Sequence, residues 1–162
     1  MADGAGARPQ VSVQREDFDI AAEIEALTAG NRDIGAVVSF TGLVREMTGE
    51  GAIAAMELEH WPGGTENALG KIVAEAEARW PLDGVRVIHR YGPMAPGERI
   101  VLVLAASRHR AAAFEAAAFL MDYLKTRAPF WKKEHGPGGG RWVDARECDD
   151  AAAERWRDGR RG

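Results

Sequence analysis

"MDYLKTRAPFWKKEHG", residues 121–136, contains the point at which a helical pattern has to become an extended one. Upstream, from about Arg108, the residues Phe114, Ala117, Ala118, Met121 and Leu124 recur at helical spacing. The residue before Pro129 is pushed out of the α region, so this long helix stops near Arg127. Downstream, "FWKKEHGPGGGRWVDARE" (130–147) reads as a hairpin closed by a glycine-rich turn. The same stretch poses a chemical question. It gathers Lys125, Arg127, Lys132 and Lys133 around Pro129, Phe130 and Trp131, in a chain whose formal net charge is -4.

Working outward, helices and strands intermix. "VSVQRED" (11–17) is a short strand, and "DIAAEIEALTAG" (19–30) a helix with Ile20, Ile24 and Leu27 on one face and Gly30 as its C-cap. "GAVVSFTG" (35–42) is apolar and β-branched, which predicts a buried strand, followed by a loop, "LVREMTGEG" (43–51). "IAAMELEHW" (53–61) alternates as a half-buried strand does. "TENALGKIVAEAEARW" (65–80) is a helix with Thr65 as N-cap and Leu69, Ile72, Val73 and Ala76 on one face. "VRVIHRYG" (85–92) and "RIVLVLAAS" (99–107) are strands separated by a loop, "PMAPGE", and "DDAAAERW" (149–156) is a terminal helix. The class is α+β, as one domain over 11–156 between a small polar leader (1–10) and a tail (157–162).

Composition narrows the function. The 162 residues are 46% hydrophobic and 28% charged, as expected of a soluble globular protein with a real core. No apolar run approaches the ~20 residues that span a bilayer, and no signal pattern opens the chain. A single cysteine, Cys148, fits a reducing cytoplasm. The acidic balance argues against general nucleic-acid affinity. The histidines His60, His89, His109 and His135 are scattered without metal-ligand spacing, so each reads as surface or satisfied core and no metal is expected. Cys148 lies between Glu147 and Asp149, which disfavours its thiolate. "GPGGG" joins two strands and is a turn, not a phosphate loop.

The cations remain. Lys125 follows Phe114 by close to three full turns, so it emerges at the edge of the helix's apolar face. A lysine there can simply complement the helix dipole or snorkel, and that reading stands beside the functional one. Lys132 and Lys133 can fold back toward the same end, and Arg45 follows a glycine-bounded strand into a loop. Clustered cations favour an anion site and lower one another's pKa, which makes a lysine a usable acid, base or nucleophile. His109 and Arg110 open the same helix after Ser107 as its N-cap, where free N–H groups favour anions. His109 and Lys125 are sixteen residues apart, about 24 Å along a straight helix, on nearly opposite faces. One small ligand cannot reach both from one chain, so a shared site requires a dimer.

"SFTGLVRE", "ELEHWPGGTENAL", "RWPLDGVRVIHRYG", "SRHRAAAFEAAAFLMDYLKTRAPFWKKE" and "RWVDARE" together resemble the large, catalytic subunit of molybdopterin synthase, in order from about Val11 to Trp156. The resemblance implies an α/β hammerhead-type fold with a hairpin-containing subdomain. It also implies a homodimer core, with a small ubiquitin-like sulfur carrier at each end, making a heterotetramer. The implied reaction moves sulfur from the carrier's C-terminal glycine thiocarboxylate onto cyclic pyranopterin monophosphate, giving the dithiolene of molybdopterin, with no permanently bound cofactor. By match of motif, Lys125 and Lys132 are the catalytic lysines. Leu43, Val44, Arg45, His109, Arg110, Lys133 and Glu134 line the pterin-phosphate pocket, with Phe40, Met121 and Arg146 around it and Phe130 and Trp131 as its walls. A donor that brings its own sulfur explains why no competent cysteine is needed. Two rivals are a non-catalytic module that grips an acidic peptide or RNA with segment 125–133, and a structural oligomer with an ordinary cationic helix end.

Overall fold

In chain order the elements are β1 (Val11–Gln14), α1 (Ile20–Thr28), β2 (Ala36–Leu43), β3 (Ala55–His60), α2 (Gly64–Arg79), β4 (Gly84–Arg90), β5 (Gly92–Met94), β6 (Arg99–Ser107), α3 (Arg110–Arg127), β7 (Phe130–Gly136), β8 (Gly139–Val143) and α4 (Glu147–Glu154). The computed structural model describes residues 8–46, 55–136, 139–143 and 147–157. Most of the loop expected over 43–51, the hairpin tip at 137–138, Arg146, and the outer parts of the leader and tail lie outside the described residues.

Apolar runs on β4 and β6 place them at the centre of one four-stranded sheet, ordered β1-β4-β6-β2. β1 runs parallel to β4, whereas β4 and β2 run antiparallel to β6. Alternation sends Val85, Val87, Val101 and Val103 toward α2 and α3, against Leu69, Ile72, Val73, Phe119, Leu120 and Tyr123. It sends Ile88, Leu102 and Leu104 the other way, against Phe18 and α1. Both faces of the central strands are therefore covered, which explains why β6 reads as an unbroken hydrophobic run. The second sheet, ordered β5-β3-β7-β8, is antiparallel throughout and carries the β7–β8 hairpin.

The α+β class holds, and several local expectations are corrected. β2 is not a buried strand: it pairs only with β6, and Ser39, Phe40 and Leu43 on this edge are exposed. The "PMAPGE" loop donates part of β5, which pairs with β3. Thr65 does not cap α2. Gly63 does, at φ 80, and its N–H donates to the Glu66 carboxylate at 2.7 Å. Likewise His109, not Ser107, is the N-cap of α3, and the Ser107 hydroxyl accepts from the His109 N–H at 3.2 Å. Phe114 is 62% exposed, because α3 buries Ala112, Ala113, Ala116, Phe119, Leu120 and Tyr123 instead. Lys125, three turns on from Phe114, thus stands on the solvent side of the helix and is exposed.

Candidate active site

The break at Pro129 works as the sequence requires. Ala128 is extended (φ -80, ψ 128), and the Phe130 N–H donates to the Ala128 carbonyl at 2.9 Å, closing a tight turn before β7. Two distant residues hold this turn. The fully buried Thr65 hydroxyl donates to the Pro129 carbonyl at 3.1 Å and accepts from the Trp61 N–H at 3.0 Å. His89, at the end of the central strand β4, stacks on the Phe130 ring with centroids 3.8 Å apart and planes 22° apart.

The register of β7 on β3 then decides which side chains share a face. Phe130 lies opposite His60, Trp131 opposite Glu59, Lys132 opposite Leu58, Lys133 opposite Glu57 and Glu134 opposite Met56. Directly opposed residues project from the same side of a sheet. Lys132 therefore sits on the side of buried Leu58, with Phe130, whereas Trp131 and Lys133 belong to the other side with Glu59 and Glu57. Lys132 and Lys133 therefore do not share a face of β7, and neither do the two aromatics. Phe130 packs against the Val44, Met56, Leu58 and Met94 cluster, whereas Trp131 is 51% exposed on the opposite side.

Electrostatics link Lys125 to the same neighbourhood. His89 is buried, and burial pulls its pKa from the ordinary 6.5 down to about 4. Its Nδ1 contact with the Arg90 carbonyl, at 2.8 Å, pulls the other way, and the charges of Lys125 and His60 add smaller downward shifts. The last turn of α3 thus places Lys125 within electrostatic reach of His89, on which Phe130 stacks, and Lys132 follows two residues along β7 on the side of Phe130. The 43–45 segment arrives there too: Val44 is buried with Met56, Leu58 and Met94, against which Phe130 packs. The Val44 N–H donates to the Glu98 carbonyl at 2.9 Å and its carbonyl accepts from the Gly97 N–H at 2.7 Å, leaving Leu43 and Arg45 exposed on either side. Gly42 makes this path feasible, since a Cβ there would fall 2.6 Å from the Val101 side chain.

Other expected site residues lie elsewhere. His109 and Arg110 are exposed at the far end of α3, an 18-residue helix about 27 Å long. Phe40 is partly exposed on β2 opposite Val103, and Met121 packs half-buried against the main core one turn before Lys125. Arg146 is outside the described residues. His89 and Thr65 were not singled out for the site from the sequence. The satisfied-core reading is right for His89, and the alternation Val85, Val87, His89 is the signal that would have aimed it at the helices. Nothing local marks Thr65 as a bridge to Pro129. Among the described residues no cluster of His, Cys, Asp and Glu could hold a metal ion.

With this geometry in place, known proteins bear on it. Residues 13–127 match the model of a family described as MoaE protein. A curated relative from Mesorhizobium japonicum, "Molybdopterin synthase catalytic subunit", is 63% identical over 151 residues, covering 92% of this chain and 94% of the relative. The solved "Molybdopterin biosynthesis MoaE protein" from Burkholderia ambifaria superposes with a TM-score of 0.79 at 51% identity, covering 92% of this chain and 98% of that one. The crystal structure of molybdopterin synthase from Staphylococcus aureus gives 0.77 at 31% identity, covering 85% and 98%.

Proposed function

This chain belongs to the MoaE family of molybdopterin synthase catalytic subunits, and on that premise we propose that its two-lysine face is a sulfurtransferase site. The carrier's C-terminal thiocarboxylate supplies sulfur, its carbon–sulfur bond breaks, and the carbonyl carbon ends as a carboxylate with an oxygen from water. The acceptor is cyclic pyranopterin monophosphate: at each of two side-chain carbons the new carbon–sulfur bond replaces a carbon–oxygen bond, and the two transfers build the dithiolene of molybdopterin. The pterin is substrate and product, with no permanently bound cofactor. Lys125 assists the attacking sulfur, and Lys132 stabilises developing negative charge or moves a proton. The observation that carries this reading is the His89–Phe130 stack beside the end of α3, with Lys125 within electrostatic reach of His89 and Lys132 on the side of β7 that carries Phe130.

Arg45, His109 and Arg110 hold the phosphate and oxyanions. Because His109 and Arg110 sit a helix length from Lys125, they serve the site of a second protomer, in a homodimer that binds one ubiquitin-like carrier at each end. A cytoplasmic location accords with the single Cys148, and no helix among the described residues is long and apolar enough to cross a membrane. The RNA-gripping alternative is not favoured, since Phe130 and Trp131 face opposite sides of the sheet and cannot stack consecutive bases together. The deciding experiment incubates the chain with thiocarboxylated carrier and cyclic pyranopterin monophosphate and scores the dithiolene product. Carrier binding without product overturns the assignment.

A further inference from the structure

The two lysines belong to different elements, α3 and β7, and only residues 128–129 join those elements. Pairing with β3 and β8 holds β7 along its length, and the turn sets how that strand leaves the end of α3. One contact is local, the Phe130 N–H to the Ala128 carbonyl. The other two come from far along the chain. The Thr65 hydroxyl reaches Pro129 across 64 residues, and the His89 ring lies flat on Phe130.

Both residues make their contacts with the turn from other elements, α2 and β4. Thr65 is not the cap of α2, a position taken by Gly63, yet its hydroxyl is fully buried and makes two bonds. A histidine inside the core is costly unless a polar atom is satisfied, and an aliphatic residue fills such volume without that penalty. Here Nδ1 donates to the Arg90 carbonyl, which satisfies the buried imidazole and selects one neutral tautomer, while burial in the core holds the ring's plane. A fixed flat ring restrains the plane of the ring stacked on it, which an aliphatic side chain does not. Lys132 is two residues beyond Phe130 on the same side of β7.

We propose that His89 and Thr65 are positioning residues: together they clamp the 128–130 turn and so hold Lys132 in place relative to Lys125. The proposal rests on the reading of those lysines as the reacting pair. Four variants separate the clamp's parts. His89→Gln keeps a donor for the Arg90 carbonyl without a ring, and His89→Phe keeps a ring without the donor. Thr65→Val removes the hydroxyl, and Thr65→Ser keeps it.

With thiocarboxylated carrier and cyclic pyranopterin monophosphate, His89→Gln and Thr65→Val are expected to lower kcat about ten- to a hundredfold, the scale of a small misplacement at a reacting centre. KM for the pterin and carrier affinity stay within about threefold, and His89→Phe and Thr65→Ser return kcat to within about threefold of the parent. In parallel, 13C-methylated lysine spectra should show the Lys125 and Lys132 resonances moved by His89→Gln and returned toward their places by His89→Phe. Unchanged kcat in the first pair, losses carried by KM or carrier affinity, no rescue in the second pair, or unmoved lysine resonances overturns the clamp. If either first-pair variant fails to fold, the other reads the same turn. A parent protein that binds carrier and forms no dithiolene defeats the functional reading instead, and the lysine resonances alone then decide the clamp.

Discussion

The two ends of α3 carry the same kind of residue and are built in different ways. At the N-terminal end, Arg108 pairs with Asp33 at 3.1 Å and with Asp83 at 3.8 Å, and both Arg108 and Asp33 are largely exposed. At the C-terminal end the chain leaves through a turn bonded to buried Thr65 and stacked on buried His89. Exposed ion pairs hold long side chains only loosely, whereas buried rings and satisfied hydroxyls leave little freedom. One end suits capture of a charged ligand, and the other suits chemistry that needs fixed geometry.

That contrast can be broken by mutation. Lys125→Ala should lower dithiolene formation by at least about a thousandfold while leaving the fold intact, since Lys125 is exposed and packs no core. Near-normal turnover by the folded variant would remove the reactive end from the comparison. His89 gives the next effect. Its folded pKa, about 4, lies below the ordinary 6.5, so between those values the unfolded chain takes up a proton that the folded chain refuses. The contribution is complete above pH 6.5 and is lost as pH falls toward 4, reaching about 3 kcal/mol. Urea midpoints measured across that window should fall less steeply in His89→Phe than in the parent.

Arg110→Ala tests the capture end. The expected change is about a tenfold rise in KM for the pterin with kcat little altered, the mark of lost ground-state binding. Assayed at pterin well below the parental KM, where each variant alone is weak, an equal mixture with Lys125→Ala under subunit exchange should show roughly a quarter of parental activity. Half the dimers are then mixed, and each of those contains one intact site. No recovery in freely exchanging mixtures would sink the shared site. Smallest is Arg108→Ala, whose exposed pairs predict a change in unfolding free energy within about 0.5 kcal/mol.

Much of this was legible beforehand where periodicity is strong. β6, α3 and the break before Pro129 follow from apolar spacing and proline sterics alone, and the helix's length separated His109 from Lys125. Legibility failed where long-range contacts decide. β2 has a core strand's composition yet lies at an edge, because strand order is not written in any one strand. Phe114 looked like core because it is large, but small alanines let α3 pack closely against β6 and β2. Lys132 and Lys133 are neighbours in sequence, and only the pairing of β7 with β3 shows that they belong to opposite sides. The roles of Thr65 and His89 depend on a turn far along the chain.

The parallel pairing of β1 with β4 bears on how the chain reaches its native state. Val11–Gln14 can dock only once β4 exists, and the Arg90 Nε bond to the Arg15 carbonyl closes a span of 75 residues. Contacts so distant in sequence carry a large loop-closure cost before any gain, so they are slow to form. The first strand in chain order among the described residues is thus expected to be among the last secured. Pulsed hydrogen exchange during refolding should find amides of β6 protected before those of residues 11–14, and the reverse order would refute it.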